Sequence, residues 1–277
     1  MKVLGIQFCT EEGAVARNAA RAAELVRRHV ETEKPDLVVL PELATCGYAG
    51  TDFRPWAEPV DGPSVSRFAG LAAELDVVIG FGFVEAAGGK VYNSWALVEP
   101  GRPPFVYRKI HLHHARPGNE LADEPRFFAA GDRLGIVDTR LGRLGIQICY
   151  DGFFPELARC LVLEGATVLV WPMRCSGGHV ENGQVKARAL ENLVPVVAID
   201  GAERGPLQTC GGRSAITDHL GSVLCEFKGA EGVLRAEVDP GKAERDRREG
   251  MDGLALYRVR RPELYGAIVE PGRMPWR

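Results

Sequence analysis

Cys149 closes an apolar run, Leu144-Gly-Ile-Gln-Ile-Cys-Tyr150, that breaks at once into Asp151-Gly-Phe-Phe-Pro-Glu156. The pattern puts a thiol at the tip of a strand, just before a helix. Asp151 and Gly152 can turn the chain, Pro155 suits the first helical position, and Glu156 complements the positive end of the helix. A thiol so placed is biased toward thiolate, and a thiolate can attack a carbonyl or nitrile carbon. The plainer reading is a small buried hydrophobe that closes a core strand.

Two other strand ends carry groups that would serve such an attack. Asp36-Leu-Val-Val-Leu-Pro-Glu42 is an apolar run ending on a carboxylate, and Phe105-Val-Tyr-Arg-Lys-Ile-His-Leu112 holds the adjacent cations Arg108 and Lys109. In open α/β folds the ligand crevice lies beyond the carboxyl ends of the strands. A carboxylate delivered there can move protons, and an ammonium can stabilise an oxyanion. Taken singly, Glu42 also reads as a helix-entry charge and Lys109 as a solvated strand-edge cation.

Together these segments resemble the signature segments of the nitrilase superfamily of carbon–nitrogen hydrolases. The residues that carry the resemblance are Leu40-Pro-Glu-Leu43 with Gly47-Tyr48, Tyr107-Arg-Lys-Ile-His-Leu112, and Gly145-Ile-Gln-Ile-Cys-Tyr-Asp151 with Phe154-Pro-Glu156. Softer matches at Met1 to Gln7, Ala187-Arg-Ala-Leu-Glu-Asn192 and Arg260-Arg-Pro-Glu-Leu-Tyr265 extend it over nearly the whole chain. The resemblance implies a catalytic Glu42–Lys109–Cys149 triad. It also implies a second glutamate, seven residues before a turn. Glu124-Pro-Arg-Phe-Phe-Ala-Ala-Gly131 keeps that spacing and assigns the role to Glu124, with Glu120 as runner-up.

By the same resemblance the fold is an αββα sandwich of two mixed sheets covered by helices, assembled as a homodimer or larger homo-oligomer. The reaction is cleavage of a small linear amide or N-carbamoyl compound through a cysteine thioester, releasing ammonia and a carboxylic acid. No cofactor is implied. A nitrile hydrolase, an N-acyltransferase and a non-catalytic relative are the alternatives. Tyr150-Asp151 after the cysteine is closer to the amidase and carbamoylase branches than to nitrilases, which usually carry tryptophan there. Phe153 stands where many of those relatives have arginine. Tyr48, Tyr150 and Phe153 suggest a partly aromatic pocket. Arg174, in the segment Trp171-Pro-Met-Arg-Cys-Ser-Gly-Gly178, reads equally as a carboxylate-binding group and as a structural ion pair.

The elements needed to position these groups are legible as alternating runs. Strand-like runs are Lys2–Phe8, Leu37–Leu40, Val77–Val84, Ser94–Glu99, Phe105–Lys109, Leu144–Cys149, Thr167–Trp171, Val194–Asp200, Gly212–Thr217, Ser222–Glu226 and Val233–Val238. Helical runs are Gly13–Glu31, Ser64–Leu75, Pro155–Glu164 and Glu181–Leu193, the first with Val15, Ala19, Ala22, Leu25, Val26 and Val30 on one face. Several strands are apolar on both faces, as central strands covered by helices must be. The strands from Val194 to Val238 are expected to close a second sheet as antiparallel pairs.

The whole chain bounds the reading. Its 277 residues show no linker, composition shift or repeat, so one domain over 1–277 is expected. A net charge of −3 and the mixed-sign run Lys242 to Glu249 give no footprint for nucleic acid. The first residues are too short an apolar stretch for a signal peptide, and no run reaches the roughly 18 residues that span a bilayer. A cytoplasmic protein without a membrane partner is the expectation. Seven cysteines without framework spacing favour reduced thiols, with Cys46 and Cys175 close to the site. His111, His113 and His114 lack a carboxylate or cysteine at ligand spacing, so no metal is expected. Gly80-Phe-Gly82 lacks the third glycine of a dinucleotide loop.

Overall fold

A computed structural model describes residues 1–48, 52–115, 123–175, 178–203, 212–250 and 255–270. Two six-stranded mixed sheets stack face to face. The first runs, in spatial order, Gly232–Glu237, Lys2–Gln7, Leu37–Val39, Val78–Ala87, Lys90–Val98 and Phe105–Arg108. The second runs Val223–Lys228, Arg213–Thr217, Val196–Asp200, Val168–Met173, Gly142–Ile146 and Gly135–Thr139. The αββα sandwich expected from the resemblance is the observed fold.

Strand alternation explains why these runs are apolar throughout. Leu37 and Val39 face the second sheet, where they join Trp95, Tyr107, Leu144, Ile146, Val170 and Ile199 in one core. Val38 and Leu40 face outward onto the helices Val15–Glu33 and Pro63–Leu75. Across the sandwich, Val168, Val170 and Val197 face inward, while Leu169, Trp171, Val196 and Ala198 face the helices Pro155–Leu163 and Gln184–Asn192. Leu37–Val39, Val168–Met173 and Val196–Asp200 are thus buried at every position.

Three expectations are corrected by the structure, and one strand is added to them. The last strand, Gly232–Glu237, leaves the second sheet and pairs antiparallel with Lys2–Gln7 in the first, and Leu234 faces the shared core. Periodicity gives a strand's faces and not its neighbours. The helix expected over Glu181–Leu193 is two, Gly178–Glu181 and Gln184–Asn192, separated at Gly183, whose φ of +73° a helix cannot carry. The strand expected to reach Cys149 stops at Ile146. A further strand, Gly135–Thr139, pairs antiparallel with Gly142–Ile146 and had too few apolar residues to be read.

The two glycines considered for a dinucleotide loop lie within Val78–Ala87. A Cβ on Gly80 would strike the Trp95 ring, and one on Gly82 would strike the Pro41–Leu43 backbone. They are glycines because other parts of the protein approach them closely. Among the described residues, no helix is long and apolar enough to cross a membrane.

Candidate active site

Strand direction brings the chemistry to one edge. Leu37–Val39 runs parallel to Val78–Ala87, and two antiparallel steps then return Phe105–Arg108 to the same sense. Glu42 and Lys109 therefore both follow the carboxyl ends of strands in the first sheet. In the second, Gly142–Ile146, Val168–Met173 and Val196–Asp200 run parallel, so Cys149, Cys175 and Asp200 gather at their carboxyl ends.

The Glu42 segment is held by Gly82. Gly82 N–H donates to Pro41 O at 3.0 Å, and Thr45 N–H donates to Gly82 O at 3.2 Å. Leu43 takes a left-handed φ of +46°, which turns the chain sharply behind the glutamate. Lys109 is clamped through its main chain, with its N–H on Asn93 O at 2.9 Å and its carbonyl on Gly131 N at 2.8 Å. Its Nζ donates to Glu42 Oε1 and to Glu124 Oε1, both at 2.9 Å. Asn93 Nδ2 donates to the same two oxygens, at 2.7 Å and 3.1 Å. Glu124 Oε2 accepts from His113 N at 2.7 Å. All four side chains are buried. Glu42 Oε2 is also buried and has no hydrogen-bond partner among the described residues. Glu120 lies outside the described residues.

Cys149 opens a tight 3-10 turn, Cys149–Phe153, with a φ of +42°. A non-glycine residue held there stores about 1–3 kcal/mol, which the surroundings must sustain. Trp171 Nε1 donates to the Cys149 carbonyl at 2.9 Å, and the Trp171 ring leaves no room for a Cβ on Gly152. Asp151 fastens the turn to the Lys109 segment. Its buried carboxylate accepts from Tyr107 OH at 2.8 Å, Ile148 N at 2.9 Å and His111 N at 2.9 Å, and meets His111 Nδ1 at 2.9 Å. His111 stacks on Phe154, with ring centres 3.7 Å apart.

Removing Asp151 strands three donors, each worth about 1–3 kcal/mol when left unpaired in the interior. Asp151→Ala is therefore expected to lower unfolding free energy by at least about 3 kcal/mol. Urea denaturation of both proteins checks this, and a loss below about 1 kcal/mol would show that the carboxylate does not organise the turn.

Charge is distributed unevenly over these groups. Contact with the Cys175 side chain, the Lys109 ammonium and His179 together outweigh burial and hold the Cys149 thiol well below its ordinary value. Burial, reinforced by the nearby Cys149 charge, holds Glu42 well above the usual carboxylate range despite Lys109. Burial alone would lower Lys109, but Glu124, Glu42 and Cys149 overcome it and keep the ammonium charged. Burial pushes Asp200 up to about 7.

The remaining sequence candidates are dispersed around this nest. Tyr48 is mostly buried, and its phenol is raised by burial and then by the Glu124 charge. Tyr150 packs against His113, Phe153 and Phe154. Phe153 is 45% exposed. Arg174 is buried, its Nε donating to the main-chain carbonyl of Glu42 at 2.9 Å, and its guanidinium fills the space beside Gly201. Sequence reading missed Asn93, a lone amide in an apolar strand, and His179, whose side chain touches Cys149. For Asn93 the signal was present: a polar side chain in the middle of a strand core needs buried partners.

Comparison with known proteins places the chain among relatives. The family model described as carbon-nitrogen hydrolase matches residues 6–248. An N-carbamoylputrescine amidase of Solanum lycopersicum is 31% identical over 96% of this chain and 94% of its own. An omega-amidase of Homo sapiens is 30% identical over 90% of this chain and 91% of its own. The crystal structure of a carbon-nitrogen hydrolase from Helicobacter pylori G27 superimposes with a TM-score of 0.85 at 24% identity, covering 98% of each chain. By sequence and fold together, the chain belongs to the carbon–nitrogen hydrolase family, within the nitrilase superfamily.

Proposed function

We propose that the protein hydrolyses the C–N bond of a small linear amide or N-carbamoyl compound, with Cys149 as nucleophile, Glu42 as proton carrier and Lys109 as oxyanion donor. The observation that carries this is the Lys109 ammonium, held 2.9 Å from two buried glutamates beside a cysteine in a strained turn.

The opposed shifts of Cys149 and Glu42 favour a resting pair with the charge on sulfur and the proton on the carboxyl. The two titrate as one coupled system. The thiolate attacks the carbonyl carbon, and the oxygen that gains charge is met by the Lys109 ammonium and the Tyr150 main-chain N–H. Glu42 Oε2, which has no competing partner, gives its proton to the leaving nitrogen. The C–N bond breaks, ammonia or an amine departs, and a thioester remains on Cys149. Water then attacks the thioester, and the Glu42 carboxylate takes its proton. An acid is released and the thiolate is restored. Glu124 keeps Lys109 charged and oriented. Tyr48, Tyr150 and Phe153 line the aromatic part of the pocket, and Arg174 contributes by bracing the Glu42 main chain.

Relatives named for an N-carbamoylated amine and for ω-amides bracket the substrate class. Purified protein is expected to release ammonia from one class in a panel of N-carbamoyl compounds, ω-amides of dicarboxylates, simple primary amides and nitriles, with one carboxylic acid formed per ammonia or, from an N-carbamoyl compound, one amine and one CO2. Formation of an acylated acceptor in place of free acid would move the function to acyl transfer. We also propose self-association through the C-terminal segment, where Val259, Leu264, Ile268 and Val269 are each at least 59% exposed.

A further inference from the structure

Cys149 has two neighbours, Cys175 and His179, that lower its thiol but carry no step of the proposed hydrolysis. The Sγ atoms of Cys149 and Cys175 and a ring nitrogen of His179 all lie within 4.8 Å of one another. Three ligands bound to one tetrahedral zinc ion stand about 3.5–3.8 Å apart, given Zn–S near 2.3 Å and Zn–N near 2.0–2.1 Å. Closing the difference takes side-chain rotation of about 1 Å. We propose that Cys149, Cys175 and His179 form a site for one Zn2+ ion, whose binding reversibly silences the enzyme.

The surroundings resemble the support that metal ligands need. His179 Nδ1 faces the Gln184 amide oxygen at 2.5 Å. That oxygen can only accept, so Nδ1 carries a hydrogen and Nε2 is the nitrogen left for a metal. Partners of this kind fix the tautomer and orientation of metal-bound histidines. The ring is also walled by Trp171 and Phe153, with centres 4.7 Å and 4.5 Å away. Cys175 Sγ has the Asp200 carboxylate at 3.9 Å, and Asp200 accepts from Cys175 N at 3.0 Å. Cys149 and Cys175 are half-buried residues and His179 is buried. Two thiolates and one neutral imidazole suit a soft, borderline cation such as Zn2+. On binding, any proton on a thiol or on His179 Nε2 passes to solvent and no electron moves. The fourth position stays open to water, as in Cys2His zinc sites. The Cys149 lone pair, however, is now in a bond to the metal and cannot attack carbon.

Silencing rests on Cys149 being the nucleophile, whereas the binding does not. The test therefore reads binding without activity. Chelator-stripped, reduced protein is titrated with ZnCl2 against a zinc-sensitive chromophore, and separately with CoCl2. One ion per chain is expected, with thiolate-to-cobalt charge transfer in the near ultraviolet and the visible bands of a tetrahedral site. Gln184→Ala should weaken Zn2+ by about 10–100-fold, as loss of an outer partner does. Cys175→Ser and His179→Ala should weaken it further, and Cys175→Ser should lose charge-transfer intensity. Unchanged affinity in both of these variants, with wild-type circular dichroism, overturns the site. Hydrolysis of whichever panel substrate releases ammonia should fall in step with Zn2+ occupancy and return with EDTA. Full hydrolysis by zinc-loaded protein overturns the silencing.

Discussion

Cys149→Ala is expected to abolish turnover, with kcat falling on the order of 10⁶-fold, the scale seen when a hydrolase loses its nucleophile. The fold should survive. Alanine and cysteine pay the same conformational cost at the φ of +42°, because neither is β-branched and both carry a Cβ. The main chain that shapes the turn is held by the Trp171 Nε1 bond to the residue 149 carbonyl and by Asp151, which the substitution leaves untouched. Only the sulfur of a half-buried residue is lost. The measurements are ammonia release at saturating substrate and the urea midpoint. Trapping with hydroxylamine adds a direct reading of the thioester, present in the wild type and absent in the variant. Residual activity above about 1% with an unchanged midpoint would mean that another group attacks the substrate, since general-acid and oxyanion contributions alone do not reach that level.

The three strand ends were legible in the sequence because each breaks an apolar run with a group that cannot be buried alone. Glu42, Lys109 and Cys149 stand out against Val, Leu and Ile for that reason, and Glu124 follows from its spacing to a turn. Asn93 and Asp151 were harder. Asn93 sits within the strand Lys90–Val98, and only the fold shows that it meets both glutamates. Asp151 reads as a turn residue, while its carboxylate ties Tyr107 and His111 to the nucleophile turn across 44 and 40 residues of chain. Such long-range bonds leave no local pattern. The same holds for His179, which reaches Cys149 only because the chain folds back after Val168–Met173. Sheet membership of Gly232–Glu237 was equally hidden, since alternation is satisfied in either sheet.

Lys109 offers the sharpest separation of chemistry from packing. Its ammonium is 1% exposed and stands between two carboxylates that would otherwise face each other across a dry space. Removing one partner of a buried ionic group leaves the others uncompensated, at about 3–5 kcal/mol. Lys109→Met keeps most of the volume and deletes only the charge, so a loss of that size in Lys109→Met is electrostatic. Burial already holds Glu42 above the usual carboxylate range despite Lys109, and without the cation it would rise further above its unfolded value near 4.3. Such groups leave stability intact below the unfolded pKa and erode it as pH rises through the folded one. The deficit relative to wild type should therefore be smallest in acid and widen as pH rises through the raised Glu42 value, as read by urea midpoints across a pH series. Turnover is affected separately. Loss of an oxyanion donor should lower kcat by about 10²–10³-fold with KM less changed, because the interaction strengthens as the oxyanion forms. A Lys109→Met protein whose deficit is flat with pH, or whose kcat is unchanged, would place Lys109 in the scaffold and pass the oxyanion role to the Tyr150 main chain alone.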